Sequence, residues 1–181
     1  MHITTPITYD KIKNLKAGDT VTLSGVIYTG RDAAHKRMCA SLEKGEELPF
    51  DVEGQVIYYV GPCPAKEGSV IGSCGPTTSG RMDKYSPMLI KKGLRAMIGK
   101  GKRDAGVVEA IVKYGGIYFG AIGGAGALIA KHITKSEVVA YDDLGTEAVR
   151  RLEVENLPLT VIIDTEGNDL YEISRNKYRE I

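Results

Sequence analysis

The stretch from Gly61 to Arg81 constrains the fold of this chain more than any other part of the sequence. It contains five of the 22 glycines and three of the seven prolines, and both residue types interrupt regular helices and strands. We therefore predict a long loop between two regular elements. The loop ends in three hydroxyl residues, Thr77 to Ser79, and in Arg81, just before helix-forming residues. Backbone N–H groups, hydroxyls and a guanidinium in front of a helix favour the binding of an anion.

Length and composition predict one globular domain that covers residues 1–181. The chain is 43% hydrophobic and 26% charged, and its net charge of +1 gives no reason to expect nucleic acid or a membrane as a partner. The charge is uneven, because residues 81–103 hold eight basic side chains and one acidic side chain. That segment is typical of a solvated basic helix or of a surface that attracts a small anion.

The three cysteines, Cys39, Cys63 and Cys74, favour an intracellular and cytoplasmic protein. Their number is odd and C-x-x-C spacing is absent from the sequence, so a disulfide scaffold is not expected. Residues 1–10 lack the apolar core of a signal peptide, and no apolar run reaches the ~18 residues of a membrane span. Three histidines and three cysteines without ligand spacing predict no metal site made by this chain alone.

Strands and helices alternate along the sequence and predict a mixed α/β fold. A turn at residues 165–168 is expected to join the last two strands into a hairpin. We predict strands over residues 3–8, 20–29, 55–60, 95–98, 117–122, 137–141, 152–154, 159–164 and 169–173. We predict helices over residues 9–15, 31–43, 87–94, 104–114 and 127–132, with Ser86-Pro87 as the cap of the third.

One local pattern recurs: a strand, a glycine turn, a cationic or hydroxyl residue, and a helix. It occurs at Gly30-Arg31, at Gly75–Arg81 and at Gly99–Lys102, and without the cation at the turn Gly123–Gly126. If the strands share one sheet, these turns gather at one edge, where the sites of α/β proteins form. One pocket would then be lined by Arg31, Thr77, Thr78, Arg81 and Lys100. Two arginines suit bidentate capture of carboxylates, so a dicarboxylate is the expected ligand.

Each candidate also has a simpler interpretation. Arg31 could cap a surface helix, Lys100 could be a solvated loop residue, and His35 could be a structural histidine on the same helix face as Arg31. Cys74 could be a nucleophile, but no suitable base is evident and a buried inert thiol is favoured. Residues 120–126 match a dinucleotide-binding fingerprint only weakly, because Ile129 stands where the third glycine belongs.

Several long strings together resemble a known family. They are IYTGRDAAHKRM, YYVGPCPAKEG, GPTTSGRMDKYSP, MIGKG, GAIGGAGALIAKHI and LEVENLPLTVIIDTEGND. They are similar to the β component of iron–sulfur class I fumarate hydratases and of the related L-tartrate dehydratases, from residue 3 to about residue 171. The resemblance implies a swivelling β/β/α three-layer domain with a mixed sheet.

The resemblance also implies a division of labour between two components. An α subunit would hold a [4Fe–4S] cluster through its own cysteines, and the β subunit would close over that cluster and bind the substrate. The reaction would be the reversible dehydration of (S)-malate to fumarate, both C4 dicarboxylates. Such a hydro-lyase of the tricarboxylic acid cycle would be active only when both subunits are present.

Four positions match the residues that hold the dicarboxylate in that family: Arg31, Thr77, Arg81 and Lys100. We expect Thr77 and Arg81 to act in catalysis, Arg31, Lys100 and Thr78 to bind the substrate, and His35 to orient Arg31 from behind. Other functions stay open at this point. They are an L-tartrate dehydratase or another hydroxy-diacid hydro-lyase, a non-catalytic anion-binding domain, and a nucleotide-dependent oxidoreductase.

Overall fold

A computed structural model describes residues 1–121 and 125–179. The strands are β1 (His2–Thr4), β2 (Thr20–Thr29), β3 (Val56–Tyr58), β4 (Ala96–Gly99), β5 (Ile117–Gly120), β6 (Ile133–Ala140) and β7 (Val149–Ile163). The α-helices are α1 (Tyr9–Ile12), α2 (Asp32–Glu43), α3 (Ser86–Lys91), α4 (Ala105–Tyr114), α5 (Gly126–Ala130) and α6 (Leu170–Tyr178). Two short 3-10 helices cover Ser79–Met82 and Asp142–Glu147. Within the described residues, no helix is both long enough and apolar enough to span a membrane.

Strands β1 to β5 lie side by side in parallel and in their order along the chain. The long strand β7 runs antiparallel to its neighbours and pairs with β2, with β6 and with β5. Because β7 pairs with both β2 and β5, the strands β2, β3, β4, β5 and β7 form a closed ring. The sheet is therefore mixed, as the sequence predicts.

The sheet has an apolar core on each of its two sides. Tyr58 of β3 packs inside the ring with Leu23 and Phe119, and all three side chains are buried. Ile57 and Tyr59 point the other way and pack against helices α2, α3 and α4, because successive side chains of a strand alternate between its faces. The ring supplies two layers of strands and the helices supply the third, which is the expected β/β/α arrangement.

The hairpin predicted at the C-terminal end is reduced to a single antiparallel bridge between Ile163 and Asp169. The strand predicted over residues 169–173 is wrong, because Asp169 is the N-cap of helix α6 and the helix begins at Leu170. The carboxylate of Asp169 accepts a hydrogen bond from the backbone N–H of Tyr171 at 2.8 Å, which satisfies a free donor at the first turn of the helix. The preceding turn is closed by Asp164, whose Oδ1 accepts the N–H groups of Glu166 and Asn168 at 3.0 Å each.

Some element bounds also differ from the predictions. The two strands expected at 152–154 and 159–164 belong to one continuous strand, because Asn156 (φ 50°) lies in a bulge opposite Ser24 and the pairing resumes beyond it. Strand β6 begins at Ile133 rather than at residue 137. Ser86 does not cap α3, since it lies inside the helix and its hydroxyl donates to the carbonyl of Met82 at 3.0 Å. The turn predicted at Gly123–Gly126 falls largely outside the described residues.

A buried ion pair joins the loops that follow β3 and β4. Arg103 Nε donates to Asp83 Oδ1 at 2.6 Å, and both side chains are buried. The other oxygen of Asp83 accepts the backbone N–H of Asp104 at 2.7 Å. The Arg103 guanidinium also lies 5.2 Å and 4.9 Å from the ring centroids of Tyr59 and Tyr118. Both charges therefore have several partners, as buried charges require.

Replacing Asp83 is expected to destabilise the chain strongly. Asp83→Ala leaves the Arg103 guanidinium buried without its carboxylate, which should lower the free energy of unfolding by about 3–5 kcal/mol. Urea denaturation followed by circular dichroism measures this change. The matched control is Asp10→Asn, which removes the exposed ion pair with Lys13 and should leave the denaturation midpoint unchanged. Equal midpoints for both variants would contradict the importance of the buried pair.

Candidate anion-binding site

The carboxyl ends of β2, β3 and β4 point to one edge of the sheet, because these strands are parallel neighbours. The segment after β3 crosses this edge and pairs with the end of β4. Thr78 and Lys100 form a parallel β-bridge, and the N–H of Ser79 donates to the carbonyl of Lys100 at 2.9 Å. The N–H of Thr77 donates to the carbonyl of Tyr59 at 2.7 Å. Backbone hydrogen bonds thus bring Thr77, Thr78 and Lys100 together.

Gly99 allows this close approach. A Cβ atom at Gly99 would lie 2.0 Å from Ser79 Oγ and 3.0 Å from a ring carbon of Tyr59, so only glycine lets the loop pass this close to the strand. The hydroxyl of Ser79 then reaches Tyr118 Oη at 2.8 Å, and the Tyr118 hydroxyl donates to the carbonyl of Gly101 at 3.0 Å. These buried contacts hold the two loops from beneath.

Arg31 is the N-cap residue of α2 and its side chain is partly buried. Its guanidinium Nη2 lies 3.2 Å from Glu147 Oε1 in an ion pair. On the other side it lies against Gly61, where an added Cβ would come within 2.8 Å of Arg31 Nη1. The start of the glycine-rich segment therefore leaves room for the Arg31 side chain.

Arg81 lies in the 3-10 helix Ser79–Met82 and forms an ion pair with Asp32, the first residue of α2. Because Asp32 follows Arg31 directly, this contact places Arg81 beside the N-terminus of the helix that Arg31 caps. The N–H of Arg81 also lies 3.5 Å from the carbonyl of Thr78, within the same tight turn. All five predicted site residues therefore lie in one connected region at the edge of the sheet.

This region is open to solvent. The side chains of Thr78, Arg81 and Lys100 are exposed, and those of Arg31 and Thr77 are partly buried. The pocket expected from the sequence is thus an exposed edge in the described chain rather than an enclosed cavity. Another surface would have to cover it before water could be excluded from a bound ligand.

His35 lies behind Arg31 and is completely buried. Its Nδ1 donates to the backbone carbonyl of Arg31 at 2.8 Å, so it contacts the backbone of Arg31 and not its guanidinium. Burial lowers the pKa of His35 to about 4, and the imidazole is therefore neutral at pH 7. With Nδ1 protonated, Nε2 is a buried acceptor, and it has no hydrogen-bond partner among residues 1–121 and 125–179.

The cysteines are poorly suited to nucleophilic or metal chemistry. Burial raises the pKa of Cys39 to about 11 and that of Cys74 to about 12, so both stay protonated at neutral pH. The Cys74 thiol donates to the carbonyl of Gly72 at 3.2 Å, which fits the inert interpretation. Cys63 is exposed, and no cluster of three or more His, Cys, Asp or Glu side chains is found in the described part of the chain.

Several residues that shape the site were missed by the sequence analysis. Asp32 was assigned only to the first turn of a helix, yet it pairs with Arg81. The sequence around Glu147 does not indicate its contact with Arg31, because Arg31 lies 116 positions earlier in the chain. Asp83 and Arg103 were read as part of a charged segment, and their burial depends on contacts that only the fold creates.

A family model described as "Fumarase C-terminus" matches residues 1–174. The chain belongs to this family. Two relatives are the aerobic class I fumarate hydratase of Escherichia coli K12 and the mitochondrial fumarate hydratase 1 of Leishmania major, 42% and 44% identical over 154 residues. Each alignment covers 84% of this chain and 28% of the relative, so the chain spans little more than a quarter of their length.

A third relative has almost the same length as this chain. It is a protein of Methanocaldococcus jannaschii named as an L(+)-tartrate dehydratase subunit beta, and it is 40% identical over 180 residues. The alignment covers 96% of this chain and 92% of that protein. The family resemblance expected from the sequence is therefore confirmed.

His35 makes the stability of the chain depend on pH below neutrality. Its pKa is about 4 in the folded chain and near 6.5 when unfolded, so the unfolded state binds more protons between these values. The free energy of unfolding should fall by about 3 kcal/mol between pH 7 and pH 4 through this group alone. Urea titrations at several pH values measure the slope for the chain and for His35→Gln.

In His35→Gln the amide can still donate to the Arg31 carbonyl but cannot titrate, so the slope between pH 6.5 and pH 4 should flatten. His2→Gln is the control, because His2 is exposed and its replacement should leave the slope as it is. Parallel curves for the unmodified chain and His35→Gln would show that this histidine does not carry the pH dependence.

Proposed function

We propose that residues 1–181 form the β subunit of a class I fumarate hydratase, a hydro-lyase that interconverts (S)-malate and fumarate with an α subunit. The observation that carries the proposal is the convergence of Arg31, Thr77, Thr78, Arg81 and Lys100 at one sheet edge in a chain of the Fumarase C-terminus family. Membership of the family supplies the class of reaction. The geometry supplies the cationic groups that a C4 dicarboxylate needs.

The [4Fe–4S] cluster of the proposed enzyme would be held by the α subunit. The described residues of this chain do not fit a cluster, since two of its three cysteines are buried thiols with raised pKa values. Cluster ligation needs thiolates, and one exposed cysteine cannot supply a ligand set. The steps assigned to this chain are therefore those of substrate binding and proton handling.

Two of the cations would grip the carboxylates of the substrate. The guanidinium groups of Arg31 and Arg81 each keep further N–H donors beside the nitrogen used for the internal ion pair, and planar forks suit bidentate binding of a carboxylate. Lys100, exposed at the end of β4, adds a point charge. Together these groups would stabilise the negative charge that develops on the carboxylate as the C3 proton leaves.

Thr77 is the proposed hydroxyl for proton transfer or substrate positioning. Its backbone is fixed by the hydrogen bond to Tyr59, and it lies four residues before Arg81. A free threonine is a weak base, so its alkoxide would need a cation such as Arg81 nearby. Thr78, paired with Lys100, is proposed to bind the substrate from the adjacent position.

The exposed edge supports the need for a partner. A site open to water on one side gives weak electrostatic stabilisation, because solvent screens the charges of both ligand and protein. Closure against the α subunit would exclude that water. The relative of nearly equal length that is named a subunit beta supports the same division into two components.

A second candidate function is L-tartrate dehydration. It is favoured by one specific observation, the 40% identity over 180 residues to the Methanocaldococcus jannaschii protein of that name. Tartrate is also a C4 dicarboxylate, and it carries one hydroxyl more than malate. The cations described above would bind either substrate, so the choice depends on groups around the second hydroxyl.

Replacing Arg81 by lysine is expected to lower kcat/KM for malate about 100-fold in the reconstituted complex, because lysine keeps the charge but loses the bidentate fork. Steady-state kinetics with the α subunit measures the effect. Arg151→Lys is the control, since Arg151 pairs with Glu137 and Glu153 on the surface, outside the proposed site. An unchanged kcat/KM in Arg81→Lys would refute its proposed role.

The chain purified alone under anaerobic conditions is expected to be colourless, free of stoichiometric iron and inactive. Co-expression with the α subunit should yield a brown complex that turns over malate with a higher kcat/KM than L-tartrate. Iron analysis, visible absorption and both substrate assays check these outcomes. Stoichiometric iron in the chain alone would contradict the division of labour, and a preference for L-tartrate would select the second function.

A further inference from the structure

Glu147 makes two contacts at the N-terminus of helix α2. Its Oε2 accepts the backbone N–H of Ala33 at 3.2 Å, and its Oε1 lies 3.2 Å from Arg31 Nη2. The side chains of Arg31 and Glu147 are only 22% and 23% exposed. One carboxylate therefore satisfies a free N–H donor of the helix and holds the guanidinium of the residue that caps it.

The segment that carries Glu147 makes further contacts with the same helix. Arg37 of α2 forms a bidentate ion pair with Asp143, with N–O distances of 2.8 Å and 2.5 Å. The Arg37 guanidinium also lies 5.3 Å from the ring centroid of Tyr141. These contacts keep the residues before Glu147 beside α2, within reach of Arg31.

Arg31 is confined on its other side as well. A Cβ atom placed on Gly61 would come within 2.8 Å of Arg31 Nη1 and within 3.1 Å of both Arg31 Cδ and the carbonyl oxygen of Thr146. The guanidinium therefore lies between the start of the glycine-rich segment and Glu147. Its Nη2 is used by Glu147, while Nη1 faces the segment that leads to Thr77 and Arg81.

We propose that Glu147 is a positioning residue that fixes the Arg31 guanidinium for binding one carboxylate of the diacid substrate. This inference rests on the proposed function, since it names the residue that orients one of the proposed substrate-binding groups. Glu147 acts through Arg31 and does not itself contact the substrate.

The alternative is that Glu147 competes with the substrate for Arg31. The second oxygen argues against competition, because it is bound to the N–H of Ala33 at the positive end of a 12-residue helix. A carboxylate anchored in this way stays in place when a ligand arrives. It takes one edge of the guanidinium permanently and leaves the remaining donors in a fixed orientation.

Glu147→Gln separates the two contacts. The amide oxygen can still accept the N–H of Ala33, so the helix terminus stays satisfied and the melting temperature should hardly change. The ion pair with Arg31 is lost, and KM for malate in the reconstituted complex should rise about tenfold with kcat changed less than twofold. Glu147→Ala should show the same rise in KM together with a lower melting temperature.

The matched control is Glu153→Gln, which removes a carboxylate from another Glu–Arg pair, 3.0 Å from Arg151 on β7. It should leave KM unchanged. An unchanged KM in Glu147→Gln, with only stability lost in Glu147→Ala, would show that Glu147 is a helix cap alone. A lower KM in Glu147→Gln would show that it competes with the substrate, and either result overturns the inference.

A second measurement keeps the inference testable if the proposed function fails. If the unmodified complex turns over no diacid, the proposed function is wrong. Nitrogen-15 NMR on the chain alone then tests whether Glu147 restrains the Arg31 guanidinium. The Arg31 Nε–H is buried and should exchange slowly with solvent in the unmodified chain and in Glu153→Gln. Exchange should be at least about tenfold faster in Glu147→Gln, and an unchanged rate would overturn the positioning role.

Discussion

The buried ion pair between Arg103 and Asp83 holds together the two loops that carry the candidate site. The loop after β3 is rich in glycine, and fixing such a chain costs more conformational entropy than fixing an ordinary one. The pair offsets part of that cost and, more importantly, sets the relative position of the loops. The bridge between Thr78 and Lys100 joins the same two loops at the exposed edge, so a buried ion pair supports the geometry of this surface.

The cations of the site are balanced from within the chain. Arg31 is paired with Glu147 and Arg81 with Asp32, whereas Lys100 is exposed at the end of its strand. Three positive and two negative side chains leave a local charge of only one unit. Each guanidinium therefore has a carboxylate partner of its own, and a dianionic ligand would exceed the net positive charge of this group. Further cations from a covering surface would make that surface and the ligand bind cooperatively.

Much of this arrangement could be predicted from the sequence where the cause is local. The alternation of apolar residues over 20–29 predicts a strand and the structure has it at the same bounds. The recurrence of glycine and cation after successive strands predicts that Arg31, Thr77, Thr78, Arg81 and Lys100 share an edge, because parallel neighbours end on the same side. These predictions need only hydrophobic periodicity, turn chemistry and the rule that neighbouring parallel strands end at the same edge of a sheet.

The failures have causes that are not local. A turn at 165–168 followed by apolar residues suits a hairpin, but Asp169 accepts the N–H of Tyr171 and starts a helix instead. Glu147 looks like a surface acid until the fold brings it to Arg31, and Arg103 looks solvated until two tyrosines and Asp83 surround it. Residues whose partners lie on distant strands carry no pattern in the sequence that reveals the contact.

The closure of the strand ring by β7 has a mechanical consequence. Strand β7 is hydrogen-bonded to β2 on one side and to β5 on the other and so closes the ring. Separating β2 from β5 on this side would break the backbone hydrogen bonds that both strands make with β7. The ring of strands therefore resists local deformation and responds to an applied force as one rigid unit.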